Sequence, residues 1–209
     1  MRNKNHWYDG VFYDKVIAPN QDKAFETVKE KINKDSNVLD VGCGTGRMAF
    51  RLSDKYRSYT GIDLSIKNIN NAKKKLSGEN SERIKYIHTD AYRYLKGSEA
   101  KYDYAVLSYV IHEMDEPYRV PLLKLLSQHA DKIIMVDYLV PRPGGFTDVI
   151  NGMVEYFAGR EHHRNFRTYV ANEGLYGLVR ESGLKIIEEI INKPFTAHIA
   201  VLKDRAQNS

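Results

Sequence analysis

Near the start of the chain, Asp40-Val-Gly-Cys-Gly-Thr-Gly46 places glycines at alternate positions directly after the short apolar run Val38-Leu39. Glycine lacks the Cβ that forbids left-handed bends, and it lets a backbone come close to a ligand. The helical pattern that follows would bring unpaired N–H groups to the same point. Asp40, Gly42, Cys43, Gly44 and Gly46 are therefore expected to form a nucleoside-binding loop. The alternative is an ordinary turn, where G-x-G-x-G also arises. The spacing differs from G-x-G-x-x-G, which seats a pyrophosphate on a helix N-terminus.

Two downstream carboxylates favour the ligand-binding reading. Asp63 closes Tyr59-Thr-Gly-Ile-Asp63-Leu64, about 20 residues past the first glycine, where a carboxylate can accept bonds from two ribose hydroxyls. Its bland role would be to cap a helix starting at Ile66, and Ser65 fits that role better. Asp90 ends Ile84-Lys-Tyr-Ile-His-Thr-Asp90 and is followed by Ala91. A carboxylate there can accept from an exocyclic amine while Leu64 and Ala91 cover the faces of a flat ring. The alternative for Asp90 is a cap on a short helix from Tyr92 to Leu95.

Taken together, the loop and the two acidic strand ends resemble the cofactor motifs of the class I S-adenosylmethionine-dependent methyltransferases. The resemblance covers nearly the whole chain, from about residue 20 to 203. It implies a Rossmann-like α/β fold whose seven-stranded, mostly parallel sheet runs 3-2-1-4-5-7-6, with strand 7 antiparallel and helices on both faces. It also implies S-adenosylmethionine as cofactor and S-adenosylhomocysteine as product. Asp63 would hold the ribose, Asp90 the adenine amino group, and Asp40 with the glycine loop the methionine end, whose amine suits an acidic neighbour. Ser108, at the end of strand 4, would abut the cofactor, and Tyr13 would fold over it from the N-terminal segment.

Methyl transfer from a sulfonium is an in-line displacement, so the protein must align donor and acceptor, exclude water and, for a weakly acidic acceptor, remove a proton. The segment after strand 4 reads Ser108-Tyr-Val-Ile-His112-Glu-Met114. It lacks the Asn/Asp-Pro-Pro-aromatic motif of enzymes that methylate base amino groups. Carbon-5 cytosine and arsenic methylation need cysteines, and Cys43, in the loop, is the one cysteine of the chain. The stretch is more similar to small-molecule enzymes of the quinone-biosynthesis type. His112 is the candidate general base, since an imidazole accepts protons near neutral pH; its other role is a structural histidine packed beside the cofactor.

Acceptor contacts are expected from Tyr109, His112, Tyr138, Arg160 and Arg164. Arg160, Arg164 and Arg167 would favour a carboxylate or phosphate on the acceptor, against the alternative of a solvated basic turn. His162 and His163 are adjacent and point to different sides, which disfavours chelation, so no metal is expected. With 15 tyrosines in the chain, an aromatic-lined pocket for a flat or apolar acceptor is expected.

These residues need a scaffold, and the pattern supplies one. Apolar runs alternate with helical stretches: strands over 37–41, 58–62, 84–88, 103–108 and 132–137, and helices over 46–54, 66–77, 91–96 and 117–129. Such alternation predicts parallel crossovers, with ligands beyond the carboxyl ends of the strands. A helical stripe of Phe25, Val28 and Ile32 precedes it. A second stripe of Leu175, Leu178 and Val179 leads to two strands, Leu184 to Ile191 and Thr196 to Leu202, joined by Asn192-Lys-Pro194. Ile66, Ile69, Ala72 and Leu76 are expected to face inward, leaving Lys73 to Lys75 in solvent. On the resemblance, one methyltransferase domain is expected over 1–209, with an N-terminal segment 1–20 and an inserted cap 140–168 carrying a helix through Val149 and Phe157.

At 209 residues, 42% hydrophobic and 28% charged, the composition fits one globular core. A net charge of +5 without a basic stripe falls short of a nucleic-acid-binding face. No apolar run approaches the ~20 residues that span a bilayer, and no signal-type segment opens the chain, so a cytoplasmic location is expected. The functional expectation is methyl transfer to an O, N or S atom of a small molecule, with no nucleic-acid partner. The alternatives are an RNA or protein methyltransferase, or a nonenzymatic S-adenosylmethionine-binding protein.

Overall fold

Short apolar runs bounded by polar turns pair into strands, and the amphipathic stretches between them fold back as helices over the faces of the sheet. A computed structural model describes residues 18–76, 80–140, 160–192 and 197–207. The elements are α1 (Ala18–Lys31), β1 (Ser36–Val41), α2 (Arg47–Arg51), β2 (Tyr56–Asp63), α3 (Ile66–Lys74), α4 (Asn80–Arg83), β3 (Ile84–His88) and α5 (Ala91–Lys96). They continue with β4 (Tyr102–Ser108), a 3₁₀ turn (Ile111–Glu113), α6 (Glu116–Ser127), β5 (Ala130–Tyr138), α7 (Arg160–Ala171), α8 (Gly174–Ser182), β6 (Leu184–Asn192) and β7 (Ala197–Asp204).

The strands form one seven-stranded sheet in the order β3-β2-β1-β4-β5-β7-β6. β1 to β5 run parallel, and β7 is antiparallel to both β5 and β6. This is the expected Rossmann-like architecture. Because side chains alternate along a strand, the sheet sorts its apolar residues into two layers. Val38, Tyr104, Val106 and Ile134 join α1, α2 and α3 on one face. Leu39, Ala105, Leu107, Ile133 and Met135 join α5, α6, α7 and α8 on the other.

Three details depart from the sequence reading. Helix α2 stops at Arg51. Ile66 is 42% exposed rather than inward, because it opens α3 and only Ile69 and Ala72 of that helix are buried. The arginine and histidine run, expected to face the acceptor with a solvated basic turn as the alternative, is the body of α7. The N-terminal aromatic segment with Tyr13, and the expected helix through Val149 and Phe157, lie outside the described residues. Among those residues, no helix is long and apolar enough to cross a membrane.

Candidate functional site

The glycine loop leaves β1 through three left-handed residues, Gly42, Gly44 and Gly46, at φ of 76°, 55° and 77°. Gly42 and Cys43 both donate their N–H groups to Ile62 O, at 2.8 and 3.1 Å, which pins the loop to the end of β2. A Cβ on Gly42 would lie 2.4 Å from Val110 Cγ2, and one on Gly46 would lie 2.3 Å from Tyr86 Oη. A Cβ on Gly44 would meet nothing within 4 Å. The loop is therefore tight beneath its first and last glycines and open at the middle one, where a ligand can approach the backbone.

Gly46→Ala and Gly44→Ala should consequently behave differently. The first combines a disfavoured backbone with a clash against Tyr86, and unfolding in urea should show a loss of about 3 kcal/mol. The second carries only the left-handed penalty of about 1 to 2 kcal/mol. Its larger effect should appear in ligand titrations, as weakened binding.

Three carboxylates surround the loop. Asp63 accepts from Gly44 N at 2.8 Å through Oδ2 and from Ser65 N at 2.7 Å through Oδ1, tying the loop to the start of α3. Each carboxylate oxygen keeps acceptor capacity for a further donor. Ser65 caps α3 by accepting from Asn68 N, as the sequence suggested. Asp90 caps α5, with Oδ1 accepting from Tyr92 N and Arg93 N, so the alternative role weighed for it is realised. Both bonds use one oxygen, and Oδ2 remains for an amine donor. Leu64, 37% exposed, and the partly buried Ala91 stand beside these two carboxylates.

Asp40 is different, because it lies sealed beneath the loop and hydrogen-bonds the Tyr59 hydroxyl. Burial pushes its pKa up to about 7, the Tyr59 bond opposes the shift and the Asp63 charge adds to it. A folded-state value above the unfolded value of 3.8 means that the folded protein holds a proton the unfolded chain has already released. Stability is thus lost as pH rises between those values. In Asp40→Asn, which keeps an acceptor for Tyr59, this loss should vanish. The variant should gain about 2 to 3 kcal/mol relative to the parent on going from about pH 5 to about pH 7.5, read by urea unfolding. The Cys43 thiol is also held protonated by burial and by Asp40 and Asp63. Its part in the loop is therefore that of a small buried side chain.

Past the loop, the carboxyl ends of β4 and β5 carry a second group of residues. His112, 2% exposed, sits in the 3₁₀ turn with Nδ1 2.7 Å from Asp137 Oδ1. A carboxylate only accepts, so Nδ1 carries the proton and Nε2 is the basic nitrogen. Aromatic rings wall the imidazole: Tyr138 at 5.0 Å, Phe166 at 5.8 Å and Tyr169 at 6.3 Å between centroids. Tyr109 packs on Tyr138 at 5.6 Å and takes a left-handed φ of 55°, bending the chain off β4 directly after Ser108, whose hydroxyl is buried without a partner. The expected trio Tyr109, His112 and Tyr138 therefore comes together.

The sequence reading missed Asp137, Arg119 and Asn165. Asp137 is the penultimate residue of β5, and the break of the four-residue apolar run Ile133–Val136 by a lone acid at a strand's carboxyl end was its available signal. Arg119 of α6 is buried and holds the carbonyls of Met114, His112 and Asn165 and the Thr168 hydroxyl. Asn165 Nδ2 donates to Glu113 O and Asp115 Oδ1. These bonds fasten α7 to the turn that carries His112. Arg164 is corrected here: it lies exposed on the outer side of α7, 3.6 Å from Asp115, rather than in the aromatic cluster. Arg167 is exposed as well. Both face outward because His162, Asn165, Phe166 and Tyr169 form the buried stripe of that helix. The Arg160 side chain, like Tyr13, lies outside the described residues. Among the described residues no cluster of His, Cys, Asp or Glu is arranged to hold a metal ion.

Comparisons with known proteins agree with this layout. Residues 38–132 match the family described as "Methyltransferase domain". An uncharacterized RNA methyltransferase of Mycoplasma mobile is 26% identical over 104 residues, covering 50% of this chain and 29% of the relative. YqeM of Bacillus subtilis, named as a methyltransferase, is 31% identical over 97 residues, covering 46% of this chain and 38% of the relative. The matched stretches thus span about a third of these curated relatives. Among solved structures, magnesium protoporphyrin IX methyltransferase from Synechocystis, with bound S-adenosylmethionine, superposes with a TM-score of 0.63 at 17% identity, covering 94% of this chain and 85% of that one. The matched segment begins in β1 and runs through the glycine loop, both acidic strand ends and the His112 turn into β5, so a little under half of the chain is similar to the methyltransferase-domain family, and its sheet has the fold of the solved methyltransferases it resembles.

Proposed function

We propose that the chain transfers a methyl group from S-adenosylmethionine to a small-molecule acceptor, with His112 as general base. The observation that carries the acceptor half is the buried His112–Asp137 pair inside an aromatic wall at the carboxyl ends of β4 and β5. The residues around the loop fit the cofactor. Gly44 opens onto space that a side chain would fill, Asp63 keeps acceptor capacity for ribose hydroxyls, and Asp90 Oδ2 suits the adenine amine. Asp40, sealed below the loop and bonded to the Tyr59 hydroxyl, supports the loop from beneath rather than touching the methionine end.

When bound, S-adenosylmethionine supplies an electrophilic methyl group on a positively charged sulfur. Everything else falls to this chain. Asp137 fixes the tautomer of His112, and Nε2 takes the proton from an oxygen, nitrogen or sulfur acceptor. Tyr109, Tyr138, Phe166 and Tyr169 exclude water and offer ring faces to a flat or apolar molecule. The stretch 140–168, ending in the anchored α7, serves as the acceptor cap. Calorimetry with S-adenosylhomocysteine tests the cofactor half, and absence of any binding heat would overturn it. Transfer of radiolabelled methyl from the donor into the solvent-extractable fraction of a metabolite extract tests the acceptor half. The Mycoplasma relative favours an RNA acceptor as the second reading. Label incorporated into RNA with steep salt dependence would select it.

A further inference from the structure

His198, a fully buried histidine far along the chain, has no part in the site described above. It lies on β7 directly opposite Asp137 of β5 in the antiparallel register, and residues so paired share a face of the sheet with Cβ atoms about 4.5 to 5.5 Å apart. Their strand neighbours Met135, Ala200 and Leu202 all belong to the apolar layer under α7 and α8, which fixes that shared face. On its far side, His198 Nε2 is 2.6 Å from Glu189 Oε1 of β6. The same carboxylate oxygen accepts from the Tyr176 hydroxyl of α8 at 2.6 Å, and the Tyr176 ring lies 4.9 Å from the imidazole.

On the near side two atoms are left over. Asp137 Oδ1 takes His112 Nδ1 and Tyr138 N, while Asp137 Oδ2 is buried with no hydrogen-bond partner. His198 Nδ1 is likewise buried with none. Each orphan costs about 1 to 3 kcal/mol, more for a charged group. An acceptor-only oxygen and a nitrogen able to carry a proton, on opposed residues of adjacent strands, can satisfy one another through one bridging water.

We propose that His198 is the second imidazole partner of Asp137, and that with Glu189 and Tyr176 it positions this carboxylate and sets the basicity of His112. The proposal rests on the reading of His112 as the base. Asp137 then stands between two imidazoles, and a proton held on His198 Nδ1 draws carboxylate charge away from His112. Among the described residues, the other ionisable groups facing this chain include Arg119 from α6 and Tyr169 from α7, both acting on Asp137, Tyr138 against the His112 ring, and Glu113 and His162, 3.9 Å apart near the His112 turn. They stay in place in every variant below, so differences report on His198. Glu189, held ionised by Tyr176 and His198, is the partly exposed end of the chain.

The test is imidazole nitrogen NMR of protein carrying ¹⁵N-histidine, without cofactor. In the parent, the proposal requires a ring proton on His198 Nδ1 in addition to the Nε2–H that the Glu189 carboxylate accepts. In His198→Gln the His112 titration midpoint should rise by about 1 unit, because Asp137 charge is then shared with one imidazole only, and in Glu189→Gln by about half a unit. Asp137→Asn should lower it. A bare His198 Nδ1 throughout the titration, or an unmoved His112 midpoint while Asp137→Asn does shift it, would overturn the proposal. Glu189→Gln changes no core packing and carries the test if His198→Gln fails to fold. Activity separates the two readings. If His112→Ala keeps methyl transfer, the base assignment fails, and this proposal fails with it as a catalytic statement. If His112→Ala abolishes transfer but the Glu189 and His198 variants leave the pH–rate profile unshifted, only the linkage through Asp137 is lost.

Discussion

Replacing His112 by alanine is expected to lower the rate of methyl transfer by a factor on the order of 10² to 10⁴, the usual contribution of a positioned general base. Affinity for S-adenosylhomocysteine should stay within about twofold. The separation follows from geometry: His112 hydrogen-bonds Asp137 at the end of β5, whereas the loop at Gly42 to Gly46 is pinned to Ile62 and Asp63 of β2. Labelled-donor transfer gives the rate and calorimetry the affinity. Unchanged transfer would remove His112 from the chemistry and leave it as a packed histidine. Asp137→Asn should fall between the two, since an amide can still hold Nδ1–H but supplies no charge.

The second large effect is expected at Asp63. Asp63→Ala removes a carboxylate that would hold two ribose hydroxyls, and charge-assisted hydrogen bonds contribute about 1.5 to 3 kcal/mol each. Cofactor affinity should therefore fall on the order of 10²- to 10⁴-fold. The structure adds a second cause, because Asp63 also accepts from Gly44 N and Ser65 N, so the variant frees the loop from the start of α3. Asp63→Asn distinguishes the causes. It retains one backbone acceptor and a neutral partner for one hydroxyl, and should lose less affinity than alanine. Micromolar binding retained by Asp63→Ala would count against the ribose assignment.

Much of this was legible from residue order. Alternating glycines, acids at strand ends and strand–helix periodicity are local signals, and the sheet honours each of them because local preference and tertiary packing agree there. The residues that escaped notice are those whose environment contradicts their chemistry. Arg119 reads as the polar face of an amphipathic helix, yet its guanidinium is buried to hold carbonyls that the turn before α6 leaves without partners. The stripe His162, Asn165, Phe166, Tyr169 is half polar, so a scan for apolar period 3.6 passes over α7, and Arg164 was given an acceptor contact although its side chain faces outward. Asp137 and His198 are 61 residues apart and become neighbours only because β7 inserts antiparallel beside β5. No local pattern encodes that pairing.

The division of the apolar residues between the two faces of the sheet has an evolutionary consequence. Tyr59, Tyr86 and Ala72, which support the glycine loop, are packed in one layer, with Tyr109 against it, while Tyr169, Leu175 and Leu178, on the α7 and α8 side, are packed in the other. Substitutions on the α7 and α8 side can accumulate while Tyr59, Tyr86 and Ala72 keep their packing under the loop. On the proposed function, divergence toward new acceptors would then run through that side.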